Sequence, residues 1–198
     1  MGGMKRLALP LVLLLLPALA QAPATFDPLF WAKAKPAEVK AHFEGIVQAA
    51  EADPKAALAR LVNRTDRFGR TPLHYAAALN PDPKVIDVLV AMGAEVNARD
   101  LLKFTPLHYA AAFNPVPGVA EALIGHGADL KATDLEGRTP LHSAAMNQKN
   151  PEVIAVLLKA GADAKAPDLY GKTPLDYALE NPKLKDSPAI ALLKAAMR

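Results

Sequence analysis

The sequence predicts an all-α solenoid in which helix–turn–helix units stack and neighbouring units are joined by short β-hairpin-like tips. Three observations carry this expectation. Thr-Pro-Leu begins at Thr71, Thr105, Thr139 and Thr173, at a constant interval of 34 residues. Gly93, Gly127 and Gly161 open Gly-Ala-Glu or Gly-Ala-Asp at the same interval. Asp66, Asp100, Asp134 and Asp168 each stand five residues ahead of the threonine. Self-similarity at such a period marks a repeat architecture, because no single unit can bury its apolar face alone.

The first helix of each unit follows from its opening residues. Thr71 supplies an oxygen for a free backbone N–H of the first turn, and Pro72 occupies the helical position where a missing N–H costs nothing. Leu73, Ala76 and Ala77 give a small-residue face that lets a neighbour approach closely. Asn80 and Pro81 end that helix, and Asp82-Pro83 and Asn150-Pro151 repeat the cap-plus-proline device. The second helix carries Val85, Ile86, Val88 and Leu89 at helical spacing. Gly93 follows its last turn, where a left-handed residue is wanted. A short extended segment, Ala94 to Arg99, then leads into the tip from Asp100 to Phe104.

The ends differ from the repeats. Lys5 and Arg6, the apolar run from Leu7 to Leu16 and Ala18-Leu19-Ala20 have the layout of a secretory signal peptide. Cleavage is expected after Ala20, with Ala22 as the alternative. The apolar stretch is about 13 residues, short of the roughly 20 that a spanning helix needs; a retained membrane anchor is the competing reading. Residues 21–65 are expected to form a degenerate capping repeat, with Phe30-Trp31, a second helix from Pro36, and a further short helix from Asp53-Pro54 to about Val62. The repeats are expected over 66–198, in units of about 71–104, 105–138 and 139–172, with 173–198 as the closing cap.

Composition narrows the class. The net charge of +3 includes Lys5 and Arg6, so the expected mature chain carries +1 and no global field for nucleic acid or anionic membrane. There is no cysteine, so packing must supply the stability. No G-x-S-x-G, H-E-x-x-H or glycine-rich phosphate loop is present. His74, His108 and His142 keep the period, but equivalent residues of stacked units lie roughly 8–10 Å apart. Zinc ligands each lie about 2 Å from the ion, so the three cannot share one. No metal, no cofactor and no catalytic residue is expected.

The pattern D-x-x-G-x-T-P-L-H-x-A-A, followed by V-I-x-x-L-L and G-A-D, resembles the ankyrin-repeat family, nearly completely from Asp66 to Asp176. The interval of 34 exceeds the usual ankyrin period by one and is similar to bacterial arrays. The resemblance implies that His74, His108 and His142 bond to backbone near the tip and tie repeat to repeat. It also implies that partners bind at the tips and on the first helices. The matching residues are Arg67, Phe68, Arg70, Leu101, Leu102, Phe104, Phe113, Leu135, Glu136, Arg138 and Tyr170. Large apolar groups on a turn tip typify interface hot spots. The most apolar tip, Leu101 to Phe104, also places Lys103 where the other tips have glycine. If Lys103 keeps that backbone it carries strain of about 1 kcal/mol; otherwise the tip adopts another turn.

The expected function is a monomeric, non-catalytic scaffold for a protein partner, periplasmic or secreted, with no nucleic acid and no membrane after signal cleavage. Exported bacterial relatives of this kind extend the expectation to supporting or regulating a partner enzyme. The competing class is an enzyme or small-ligand protein using the concave face. Replacing Leu102 and Phe104 together by aspartate is expected to leave folding intact and abolish partner binding.

Overall fold

The computed structural model describes residues 26–47 and 53–198, and the expected signal peptide and its cleavage site lie outside them. Eleven helices and no strands are found among the described residues: α1 Pro28–Lys33, α2 Pro36–Val47, α3 Pro54–Val62, α4 Pro72–Leu79, α5 Lys84–Ala91, α6 Pro106–Phe113, α7 Pro117–Gly125, α8 Pro140–Asn147, α9 Pro151–Lys159, α10 Pro174–Glu180 and α11 Pro188–Ala196. Ten of them begin on a proline, which accounts for much of the chain's high proline content. The preceding polar side chain often completes the start. Asp27, Asp53, Asn150 and Ser187 each accept a backbone N–H of the first turn.

Helices α4, α6, α8 and α10 stack as one row, and α5, α7, α9 and α11 as a second. The first row is in much closer contact, because Ala76, Ala77, Ala110, Ala111, Ala144 and Ala145 are buried where its helices meet. Closer spacing on that side bends the stack towards it, so the first row and the tips form the concave face. The second row supplies the larger core groups: Val85, Ile86, Leu89, Val119, Leu123, Ile154 and Leu157 are fully buried. A fully buried Leu or Ile contributes about 2–3 kcal/mol by transfer from water.

The amino-terminal end is a repeat with an extra helix. α1 lies on α4 and α2 on α5, so they continue the two rows, and Trp31, Val39 and Phe43 form their buried contact. α3 is added between this pair and the first tip. It also carries a repeat contact: Asn63, 34 residues before Asn97, donates from Nδ2 to Gly93 O (2.7 Å) and accepts from Glu95 N at Oδ1 (2.8 Å). Asn97 makes the same pair with Gly127 O and Asp129 N.

Candidate functional site

Each tip is organised by its aspartate. Asp100 Oδ1 accepts from the backbone N–H of Leu102 and of Phe104, both at 2.9 Å, while Asp100 N donates to Phe104 O. Asp66, Asp134 and Asp168 hold their tips in the same way. Burial acts to raise the carboxyl pKa of Asp66 and of Asp168, but hydrogen bonds from the tip amides and from Tyr75 or Tyr177 outweigh it and hold both below the ordinary range. Successive tips are linked by backbone: Leu101 N donates to Phe68 O, Leu135 N to Leu102 O and Leu169 N to Glu136 O, at 3.0–3.1 Å.

Lys103 keeps the backbone of its glycine counterparts. Its φ is +64°, against +79° at Gly69 and Gly137, and its N–H donates to Asp100 O at 2.9 Å as theirs do to Asp66 and Asp134. The tip does not adopt another turn, so the left-handed strain is present. Gly69 shows a second constraint, because a Cβ there would come within 3.0 Å of Leu101 N on the next tip.

The periodic histidines join the first helices to the tips. The Thr71 N–H donates to His74 Nδ1 at 3.0 Å, and the Thr71 hydroxyl lies 2.9 Å from the same atom. A donor already facing Nδ1 leaves the proton on Nε2, which donates to Phe104 O in the next repeat at 3.1 Å. His108 repeats this with Thr105 and Arg138 O (3.0 Å), and His142 with Thr139 and Lys172 O (3.2 Å). Burial lowers all three pKa values against the opposing pull of the carbonyl, and pushes His108 down to about 4. Repeat four has Asp176, whose carboxylate accepts from Thr173 N and Oγ1 at 2.7 Å and has no second ring nitrogen to reach onward.

A second buried row of side chains is not legible from the histidine pattern. Asn80 Nδ2 donates to Trp31 O and Ala34 O, both at 2.8 Å, and its Oδ1 accepts from Asp82 N. Asn114 donates to Ala77 O and Asn80 O, Gln148 to Ala111 O and Asn114 O, and Asn181 to Ala145 O and Gln148 O. These carboxamides satisfy the orphan carbonyls at the end of the preceding first helix. The recurrence of Asn80, Asn114 and Asn181 is the available signal, blurred by glutamine in the third place.

The side chains expected to contact a partner fall into two groups. Leu101 (68% exposed), Leu102 (55%), Leu135, Phe68 and Tyr170 (70%) form an apolar ridge along the tips. Leu169, on the same ridge, is at least as exposed. Arg67 and Arg70 each place a guanidinium 4.7 Å from the Phe68 ring, which partly covers it. Glu136 is held by Arg138 Nη1 at 2.9 Å. Arg70, Phe104, Phe113 and Arg138 instead converge, with Leu102 of the ridge and with Tyr109, Ser143 and Met146, around a partly open cavity of about 350 Å³ between the tips and the first helices. Both arginines are anchored, Arg70 on Asp66 and Arg138 on Asp134, at 2.7 Å.

Phe104 is not a freely exposed tip residue. Its ring stands edge-on to His108 at 5.4 Å and to Tyr109 at 6.1 Å. Aspartate at 104 would therefore disturb the stack as well as the surface, and the fold-neutral pair of substitutions is Leu101→Asp with Leu102→Asp. Among the described residues, no group of three or more His, Asp or Glu side chains is arranged to hold a metal ion, and no helix is long and apolar enough to cross a membrane.

No curated protein matches the chain. A family model described as ankyrin repeats in three copies matches residues 46–134 and again 107–195. Arrays of this kind are in general protein–protein interaction modules. With 34-residue units, paired rows of helices, aspartate-closed tips and a family match across most of its length, the chain belongs to the ankyrin-repeat family.

Proposed function

We propose that this protein is a non-catalytic docking scaffold of the periplasm or extracellular space, whose apolar tip ridge and concave face hold a protein partner and so support or regulate an enzyme. One observation supports the reading above the others: Leu101, Leu102, Leu135, Leu169 and Tyr170 stand half or more exposed along one ridge, while the aspartates of the tips are consumed inside them. Such a patch costs solubility and gains nothing for the fold. The exported location rests on the character of residues 1–20.

Leu101→Asp with Leu102→Asp tests the docking face. A partner captured from the exported fraction by the wild-type protein is expected to be lost from the double variant, with the circular-dichroism melt unchanged. Hot-spot truncations cost about 2 kcal/mol or more each, so two together predict a loss of at least a hundredfold in affinity. Undiminished capture by a folded double variant would remove the tip ridge from the interface.

A further inference from the structure

The cations of the tips fall into two kinds. Arg70 meets Asp66 at 2.7 Å, Arg138 meets Asp134 at 2.7 Å and Glu136 at 2.9 Å, and Lys172 meets Glu180 at 2.8 Å. Arg67 and Lys103 are exposed and, among the described residues, neither has a carboxylate partner. The surface around them offers none. Asp66 and Asp100 are turned into their own tips, where each accepts two backbone N–H groups. The first helices α4, α6 and α8 carry no acidic residue.

Both cations stand where the tip itself requires something else. The counterparts of Arg67 are Leu101, Leu135 and Leu169. Its guanidinium lies 4.7 Å from the centre of the Phe68 ring, a stacking that fixes the plane and leaves the N–H edge for an acceptor. The counterparts of Lys103 are Gly69, Gly137 and Gly171, all with positive φ, and Lys103 accepts the left-handed strain at +64°. Strain of this kind clusters at functional surfaces. Leu101 N donates to Phe68 O at 3.0 Å, which sets the first two tips side by side. The surface they form has Phe68, Leu101 and Leu102 exposed at its centre, with Arg67 leading into Phe68 and Lys103 following Leu102.

We propose that this part of the ridge binds an acidic, apolar segment of the protein partner: apolar side chains cover Phe68, Leu101 and Leu102, and flanking carboxylates accept from Arg67 and Lys103. Charge complementarity selects this occupant. A basic segment would set like charges against two cations that no local carboxylate relieves. An uncharged apolar segment would cover the leucines but take water from both cations without pairing them. An acidic segment without apolar side chains would leave the leucines exposed. A carboxylate both neutralises the cations and matches the planar edge of the stacked guanidinium. The inference rests on the tip ridge being the docking surface and names the class of segment that it reads.

Four hexapeptides test it on the full chain: acetyl-Gly-Glu-Leu-Leu-Glu-Gly-amide, the same peptide with glutamine or with lysine in place of both glutamates, and the glutamate peptide with glycine in place of both leucines. The readout is the methyl resonances of Leu101 and Leu102. At low ionic strength the acidic leucine peptide is expected to shift both and to bind roughly three- to tenfold more tightly than its glutamine counterpart, as two exposed ion pairs allow. The lysine peptide is expected to bind most weakly of the leucine peptides, and the gap between acid and glutamine to close at about 0.5 M salt. Arg67→Gln with Lys103→Gly is expected to bring the acidic peptide to the affinity of the glutamine peptide and to leave the latter unchanged. Equal affinity of the wild-type protein for the acidic and glutamine leucine peptides overturns the proposal, whether or not the variant folds. So do unshifted Leu101 and Leu102 methyls, an acid preference that survives in the folded double variant, or equal binding of the acidic glycine peptide, since the ridge would then read charge alone. Absence of an acid preference while Leu101→Asp with Leu102→Asp still loses its captured partner removes the charge assignment and keeps the docking face. An intact acid preference with capture undiminished in that variant overturns both, since the ridge would then bind peptides but not the partner.

Discussion

Acidification from pH 7 to pH 5 is expected to destabilise the protein through its buried histidines. His108 Nδ1 faces the N–H and hydroxyl of Thr105, while Nε2 donates to Arg138 O. A second proton would turn Nδ1 from acceptor into donor, against the Thr105 N–H, on a buried ring. Burial sets the folded pKa at about 4, against 6.5 for the ordinary group. The unfolded chain therefore binds more protons between those values, so the stability is fully present above pH 6.5 and is lost as the pH falls towards 4. At pH 5 an unfolded His108 is almost wholly protonated and a folded one only about a tenth, which corresponds to a loss of about 2 kcal/mol. His74 and His142 are lowered in the same direction and add to it. Asp66, Asp168 and Asp176 are held below the ordinary carboxylate range, so their contribution is intact at pH 5 and fades only in stronger acid. For a domain of this size each kcal/mol moves the melting temperature by roughly 2–4 °C, so His108 alone predicts a drop of about 4–8 °C. The control is His108→Gln, which is less stable at pH 7 but has no group to titrate. Its loss between pH 7 and pH 5 is expected to be about 2 kcal/mol smaller than that of the wild type. Equal melting temperatures at the two pH values, or an undiminished loss in the variant, would refute the assignment of this window to the histidine row.

Two further substitutions probe the scaffold. Asn114→Ala leaves Ala77 O, Asn80 O and Val116 N without their buried partner. At about 1–3 kcal/mol for each unsatisfied group, a loss of about 3 kcal/mol or more in urea unfolding is expected, and a loss below about 1 kcal/mol would show that water takes over the row. Lys103→Gly removes the left-handed penalty of about 1 kcal/mol and adds backbone freedom to the unfolded chain, so a net gain of a few tenths of a kcal/mol in urea unfolding is expected; a net loss would mean that the Lys103 side chain supports the tip.

Readability from sequence followed from what a period can carry. Thr71, His74 and their counterparts recur at one interval, and stacking places equal residues in line, so the period predicts a row of histidines, while the ankyrin resemblance implies that the row joins repeats. The period also explains Lys103, whose positive φ is the backbone that the neighbouring glycines predict. It failed where the structure counts differently. α3 adds a helix ahead of the first tip, so the cap-and-proline pairs Asp27-Pro28 and Thr71-Pro72 lie 44 residues apart, while Asn63 and Asn97 keep 34. Comparing copies could find one register or the other, but not both.

The pocket shows the same limit at the functional face. Aligning repeats sets Phe104 against Arg70 and Arg138, and separately sets Ser143 against Tyr75 and Tyr109, which makes two unrelated departures 39 residues apart. Stacking brings the tip of one repeat against the first helix of the next, so the two departures meet. Phe104 takes the edge of His108 that a tyrosine at 143 would occupy by analogy with Tyr109 on His74. It carries no hydroxyl to donate to Asp134, whose Oδ2 accepts from Arg138 Nε at 2.7 Å. The exchange therefore leaves the imidazole covered and Asp134 closed by Arg138 alone.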